Sequence, residues 1–378
     1  MEGKALRTGI LRWNAGAALL LALALLTPGC GGRGKAVVLI TVAGLRADGV
    51  SETRMPETSA LGEVQTLLAP APTTVPALVA ALAGADPDRV AALEPDMVRI
   101  GPDVETLAVR FQSAGYRSAA YIGDGDISPL TGLLRGFDSY FGASWPAAHA
   151  AIQDEQDAVG RVRPRRGGVI ASRQLVDRFS ADLRRQRDRR PFFAWLHFAE
   201  PSVATQAEDP RAEWEKALSQ VDRAVGDVLA TLGTYGWEDG ALLVVASVHG
   251  EGLGDGGEIR HGLTLIEPIV EIPVVFHGAV GNPPPTSLRR LAQLPGEILR
   301  QAGLEGSSQP SWPALSITLL PRRLYALAPR AVVQTERGVL DVRAGCRWVA
   351  SGGEQIDGAR ALEMVGSDIA ARLRAAGL

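Results

Sequence analysis

From residue 35 onward the chain alternates short apolar runs with stretches of helical period. Val37-Val38-Leu39-Ile40-Thr41-Val42 is continuous, rich in β-branched residues and short, the form of a strand buried on both faces. Thr73-Thr74 leads into a predicted helix over Val75–Leu82, and a second helix over Val104–Ala114 is ended by Gly115. A strand follows at Ser118–Ile122. Leu175, Phe179 and Leu183 mark one face of an amphipathic helix over Gln174–Arg187. Phe192–Phe198 reads as a buried strand, and Ala217–Leu232 as a long helix with Leu218, Val221, Val225, Val228, Leu229 and Leu232 at helical spacing. Ala241–Ala246 and Pro273–Phe276 are further predicted strands. Alternation of this kind predicts an α/β fold, a mostly parallel sheet covered by helices on both faces. Residues 150–168 are polar and rich in Arg and Gly, a predicted surface insertion. From about Arg322 the pattern changes to short strands, Ala331–Thr335, Gly338–Val342 and Trp348–Ala350, with a terminal helix over Ile369–Ala376. That change predicts a small antiparallel unit.

The N-terminus has a different pattern. Lys4, Arg7 and Arg12 precede an apolar run from Ala15 to Leu26, too short for the ~20 apolar residues that span a bilayer and of the form of an export signal. Leu26-Thr27-Pro28-Gly29-Cys30 ends it, a small residue before a cysteine, which resembles a bacterial lipoprotein signal with Cys30 as the lipidated residue. Ordinary cleavage and an uncleaved anchor are the alternatives. The expectation is export to the cell envelope with a lipid anchor in a bacterial membrane. The expected organisation is a signal segment over 1–30, an α/β domain over 31–320 and a C-terminal α+β subdomain over 321–378.

Composition narrows the function classes. The chain has 378 residues, 46% of them apolar, enough for a large core. A net charge of −3 gives no whole-chain case for nucleic acid. Cys346 is the only other cysteine, so a lipidated Cys30 leaves no internal disulfide. No repeat of solenoid or propeller period is present.

The chemistry turns on strand ends, where α/β enzymes place ligands and catalytic groups. The first predicted strand ends in Ala43 and the strand at 241–246 is followed by Ser247-Val248-His249. A methyl or isopropyl group there cannot hold a metal ion. Five segments in order resemble the sulfatase branch of the alkaline phosphatase superfamily: Val38 to Asp48, Thr74 to Gly84, Thr106 to Asp138, Pro191 to Pro201, and Ser247 to Glu251 with His261-Gly262 and Glu271-Ile272-Pro273 behind it. The resemblance covers roughly residues 36–300. It implies an alkaline-phosphatase/sulfatase-like sandwich. It also implies ester hydrolysis or phosphoryl transfer with a nucleophile at a helix N-terminus and one or two divalent cations.

Carried over by position, the resemblance puts Ala43 and Val248 where metal-ligand aspartates are usual. Thr74 stands at the nucleophile, His249 at a position that can ligate, and His261 at a leaving-group or anion-binding histidine. Thr74 cannot mature to the formylglycine that sulfatases make from Cys or Ser. Ser202, in Glu200-Pro201-Ser202, replaces a substrate-side histidine. The expectation is a degenerate member, a pseudoenzyme that binds a protein or an anionic ligand, with no cofactor. A divalent cation (Ca, Mg, Mn or Zn) enters only under the alternative, a divergent hydrolase or transferase using Thr74, with metal held by His249 and carboxylates such as Asp124 or Asp255.

The structural readings of the same residues are plain. Thr74 is expected to cap its helix, and His249 and His261 to bond loop backbone. Asp48 is expected to make a structural pair and His197 to be a core histidine. Glu251, Asp255 and Glu258 are expected in a solvated Gly-rich loop. The run Arg184 to Arg190 is expected to be a solvated helix end; contact with anionic lipid headgroups is its alternative.

Overall fold

The computed structural model describes residues 35–93, 98–142, 155–156, 162–163, 168–186, 188, 190–205, 207–278, 288–307, 313–318, 330–336, 338–342, 347–350, 355–357 and 365–375. The signal segment, Cys30, Cys346 and nearly all of the predicted insertion lie outside them. The strands are β1 (Ala36–Ala43), β2 (Gln65–Leu68), the short β3 (Ala91–Leu93) and β4 (Val98–Ile100), β5 (Arg117–Ile122) and β6 (Ser139–Gly142). The short β7 (Glu155–Gln156) and β8 (Val162–Arg163) follow, then β9 (Phe192–Phe198), β10 (Leu242–His249) and β11 (Glu271–His277). A C-terminal group holds β12 (Ala314–Thr318), β13 (Arg330–Thr335), β14 (Gly338–Val342), β15 (Arg347–Ala350) and β16 (Gln355–Ile356).

Seven strands form the main sheet in the order β2-β11-β10-β1-β9-β5-β6. Pairings from β10 to β6 are parallel, whereas β11 is antiparallel to β10 and to β2. The sheet is therefore mixed, with β11 antiparallel to both of its neighbours. The central strands β1, β9 and β10 are buried along their whole length, as their continuous apolar runs require.

Each face buries its own core. On one lie Val37, Leu39 and Ala43 of β1 with α1 (Thr74–Ala83), α2 (Leu107–Ser113) and, late in the chain, Leu294–Gln301. On the other lie Val38, Ile40 and Val42 with α3 (Ser172–Arg185) and α4 (Pro210–Thr234). Leu175, Phe179 and Leu183 are buried on α3 as the periodicity predicts, and Arg184 and Arg185 end it in solvent. Cations there complement the helix dipole.

The second sheet, β12-β13-β14-β15-β16, is antiparallel throughout and opens at Ala314, ahead of the change of pattern in the sequence. The helix Ser367–Ala375 packs Ile369 and Leu373 against Leu315, Ala331 and Val333. Its Arg372 reaches Asp86 and Asp88 beyond α1, at 2.9 and 2.7 Å, so the C-terminal unit is tied to the main domain through buried charge. No helix among the described residues is long and apolar enough to cross a membrane.

Candidate functional site

The site gathers where β1 and β10 end and α1 begins. Strand β10 runs three residues further than its apolar pattern predicts, so Val248 and His249 lie inside it. The register with β1 slips there, Val42 facing Ser247 and Ala43 facing His249, which leaves Val248 as the extra residue of a bulge. Bulges re-aim side chains beside functional sites. Ala43 and Val248 are both fully buried and belong to the apolar core of the α1 face. Immediately past Ala43 the chain turns at Gly44, whose φ is +82°. A Cβ at Gly44 would stand 2.6 Å from the Ser202 nitrogen, so only glycine fits.

His249 turns to α1. Its Nε2 lies 3.0 Å from Thr74 Oγ1, and its Nδ1 lies 2.9 Å from the carbonyl oxygen of Gly250. A carbonyl only accepts, so Nδ1 carries a hydrogen; in the neutral ring Nε2 then accepts the Thr74 hydroxyl hydrogen. Thr74 is the first residue of α1, and Thr73 is its N-cap, without a side-chain capping bond. The capping role expected of Thr74 is thus not the one it has: its hydroxyl is turned to His249.

His261 stacks beside His249 with ring centroids 4.2 Å apart. Its Nδ1 lies 2.5 Å from Glu251 Oε1, a carboxylate and not the loop backbone. Glu251 is fully buried and Glu258 is 6% exposed, which corrects the solvated loop expected of them. Glu258 accepts the backbone hydrogens of Leu263 and Thr264 at 2.8 and 2.7 Å. The loop is packed because Arg46 spans it. That guanidinium bonds Asp48 at 2.9 Å, Asp255 at 2.8 Å and the carbonyls of Glu251 and Gly252 at 3.4 Å. Asp48 is the structural partner expected of it. Gly250 closes against Pro268, where a Cβ would lie 1.9 Å from the carbonyl oxygen.

A second polar group stands at the ends of β5 and β9. Trp195 Nε1 donates to Thr41 Oγ1 at 2.9 Å, and Thr41 Oγ1 lies 2.7 Å from His197 Nδ1. The other ring nitrogen of His197 faces Asp124 Oδ2 at 4.0 Å. His197 is fully buried, and desolvation holds its pKa down to about 3, a neutral core histidine. Ser202 is buried. Asp124 lies by His197, and Asp255 is turned to Arg46; neither is among the groups gathered at His249.

The donor set decides what the site can hold. His249, Glu251 and His261 bring possible ligand atoms within 4.8 Å of one another, the one such group among the described residues. Two imidazoles and one carboxylate are transition-metal donors, not the oxygen cage that Ca or Mg takes. The strand-end positions 43 and 248 offer no donor. The hard-cation arrangement that the resemblance implies therefore does not fit these residues.

Comparisons place the fold. The profile of the sulfatase family matches residues 66–294. No curated protein matches the sequence. Among solved structures, the phosphonate monoester hydrolase of Silicibacter pomeroyi superposes with a TM-score of 0.61 at 18% identity, over 90% of this chain and 94% of that one. The lipoteichoic acid synthase LtaP of Listeria monocytogenes gives 0.59 at 11% identity, over 91% and 90%. A 2-O GAG sulfatase gives 0.59 at 15%, over 91% of each chain. Identities this low speak for the fold alone.

Proposed function

The chain belongs to the sulfatase family, and from that premise we propose that it is a pseudoenzyme, a binding or scaffold protein that keeps the family's cleft without its metal-dependent ester cleavage. One observation carries this: Ala43 and Val248 are both fully buried in the apolar core, at the positions where the resemblance puts carboxylate ligands. Removing two carboxylates removes most of the charge that offsets an ion's desolvation.

What remains suits recognition. Thr74 presents a hydroxyl at the start of a ten-residue helix, where backbone N–H groups and the dipole favour an anion, and His249 and His261 add imidazoles beside it. The ligand class is an anionic group, free or carried by a protein, and not nucleic acid. The apolar run 15–26 and Cys30 support export and a lipid anchor at the cell envelope. The mass of the mature protein tests the anchor: a diacylglyceryl adduct on Cys30 supports it, and an unmodified residue contradicts it.

A second reading rests on the Thr74–His249 hydrogen bond of 3.0 Å, the contact a base makes with a hydroxyl nucleophile. The two are separated by assaying aryl sulfate, phosphate and phosphonate esters with Ca, Mg, Mn and Zn in turn. The pseudoenzyme reading expects no rate above that of Thr74→Ala. A rate that Thr74→Ala abolishes contradicts it.

A further inference from the structure

Three side chains at the exit of β10 converge as electron-pair donors. His249 ends the strand, Glu251 follows two residues on, and His261 returns on the far arm of the Gly-rich loop. Their exposures are 0, 0 and 8%. The loop's backbone sets two of them opposite one another. Gly252 N–H donates to the Arg260 carbonyl at 2.7 Å, Leu253 to Ile259 at 2.8 Å and Gly254 to Glu258 at 3.0 Å, so Glu251 and His261 are the next residues outward on a closed hairpin. His249 donates from Nδ1 to the Gly250 carbonyl at 2.9 Å, the kind of outer contact that orients a ligating imidazole and leaves Nε2 as its donor atom. One ligand atom from each of the three lies within 4.8 Å of the others. Donors around a four-coordinate zinc ion stand about 3.4 Å apart, so each pair has little to close.

We propose that His249, Glu251 and His261 form a zinc site, two imidazoles and one carboxylate with the fourth position open beside Thr74. The ion takes the place of the hydrogen between His261 Nδ1 and Glu251 Oε1, and that contact opens to admit it. This set is not the one the resemblance implies. Positions 43 and 248 contribute nothing to it, and Glu251 and His261 stand on the loop instead of at strand ends. The exchange reverses the cation preference: zinc takes four donors and accepts imidazole nitrogen, whereas Ca takes six to eight oxygens and Mg an octahedron of them. The charge of Glu251 is already desolvated by the fold, and coordination replaces its bond to His261 without stranding either group. Zinc held without ester cleavage leaves the pseudoenzyme reading standing; ester cleavage with zinc overturns that reading and not the site.

The test is titration of the chelator-treated full chain with zinc, calcium and magnesium chlorides, zinc in competition with a chelating dye, and with cobalt(II) as a coloured substitute. One equivalent of zinc is expected, bound about a hundredfold or more tighter than calcium or magnesium. His249→Ala and His261→Ala are each expected to weaken zinc binding about a hundredfold or more, and Glu251→Gln about tenfold or more. His277→Ala, whose ring lies outside the cluster against the Leu61 carbonyl, is expected to change nothing. Bound cobalt is expected to show the intense visible bands of a four-coordinate ion, which reads the site in the unaltered chain should a buried variant fail to fold. Zinc no tighter than magnesium, zinc affinity unchanged in folded His261→Ala, or the weak cobalt spectrum of six oxygen ligands overturns the proposal.

Discussion

The two sides of the strand-end site have been treated differently. On one side the loop from Gly250 to Gly262 keeps a dense polar framework: Arg46 across Asp48 and Asp255, Glu251 on His261, and Glu258 on two backbone amides. On the other, Ala43 and Val248 end their strands in apolar core. The difference separates holding a cleft in shape from charging it. A frame of buried hydrogen bonds is costly to lose piecemeal, because each deletion strands a desolvated partner. Carboxylates that repel one another around a missing ion gain nothing from staying, and an apolar replacement relieves them.

The strongest way to break that contrast is to recharge the apolar side. Ala43→Asp with Val248→Asp buries two unpaired carboxylates, and the metal-free protein is expected to lose about 3–5 kcal/mol, read from its urea midpoint. If the frame is intact, Ca or Mg raises that midpoint again; a midpoint blind to cations shows a frame that has moved. Next in size is Glu251→Gln, which weakens a fully buried contact to His261. A loss of about 2 kcal/mol is expected, with altered imidazole resonances of both His261 and His249.

His197 supplies a contrast of the same magnitude and another origin. Its pKa in the fold is about 3 against 6.5 ordinarily, so between those values the unfolded chain binds a proton that the folded chain does not. Stability therefore falls as pH falls through this window, by about 2 kcal/mol at pH 5, and is unaffected above about pH 7. The slope of stability against pH is expected to flatten in His197→Gln, while Thr74→Val leaves it unchanged. Thr74→Val is the smallest effect, about 1 kcal/mol for one hydroxyl contact, measured by the same denaturation.

How far the sequence could be read follows from where each residue finds its partners. β9 is legible to the residue, because Phe192 to Phe198 is a mostly apolar run bounded by Pro191 and by Glu200-Pro201. β10 reads three residues short, because Ser247 and His249 look like loop until the β1 register is known. Thr74 reads as a cap because Thr73 and Thr74 are equivalent by local chemistry; only His249, 175 residues away, tells them apart. Glu251 reads as solvated because glycines surround it, yet its burial depends on His261 and on Arg46, which sits 205 residues earlier. Local pattern carries the core. It does not carry polar contacts made across the fold, and the site consists of those.

The central claim, that the strand ends do not hold the hard cation the resemblance implies, is tested most directly by the metal content of the purified full chain after exposure to Ca and to Mg and removal of excess. The account predicts well under one equivalent of either, unchanged in His249→Ala. One equivalent of bound ion that His249→Ala abolishes would contradict it.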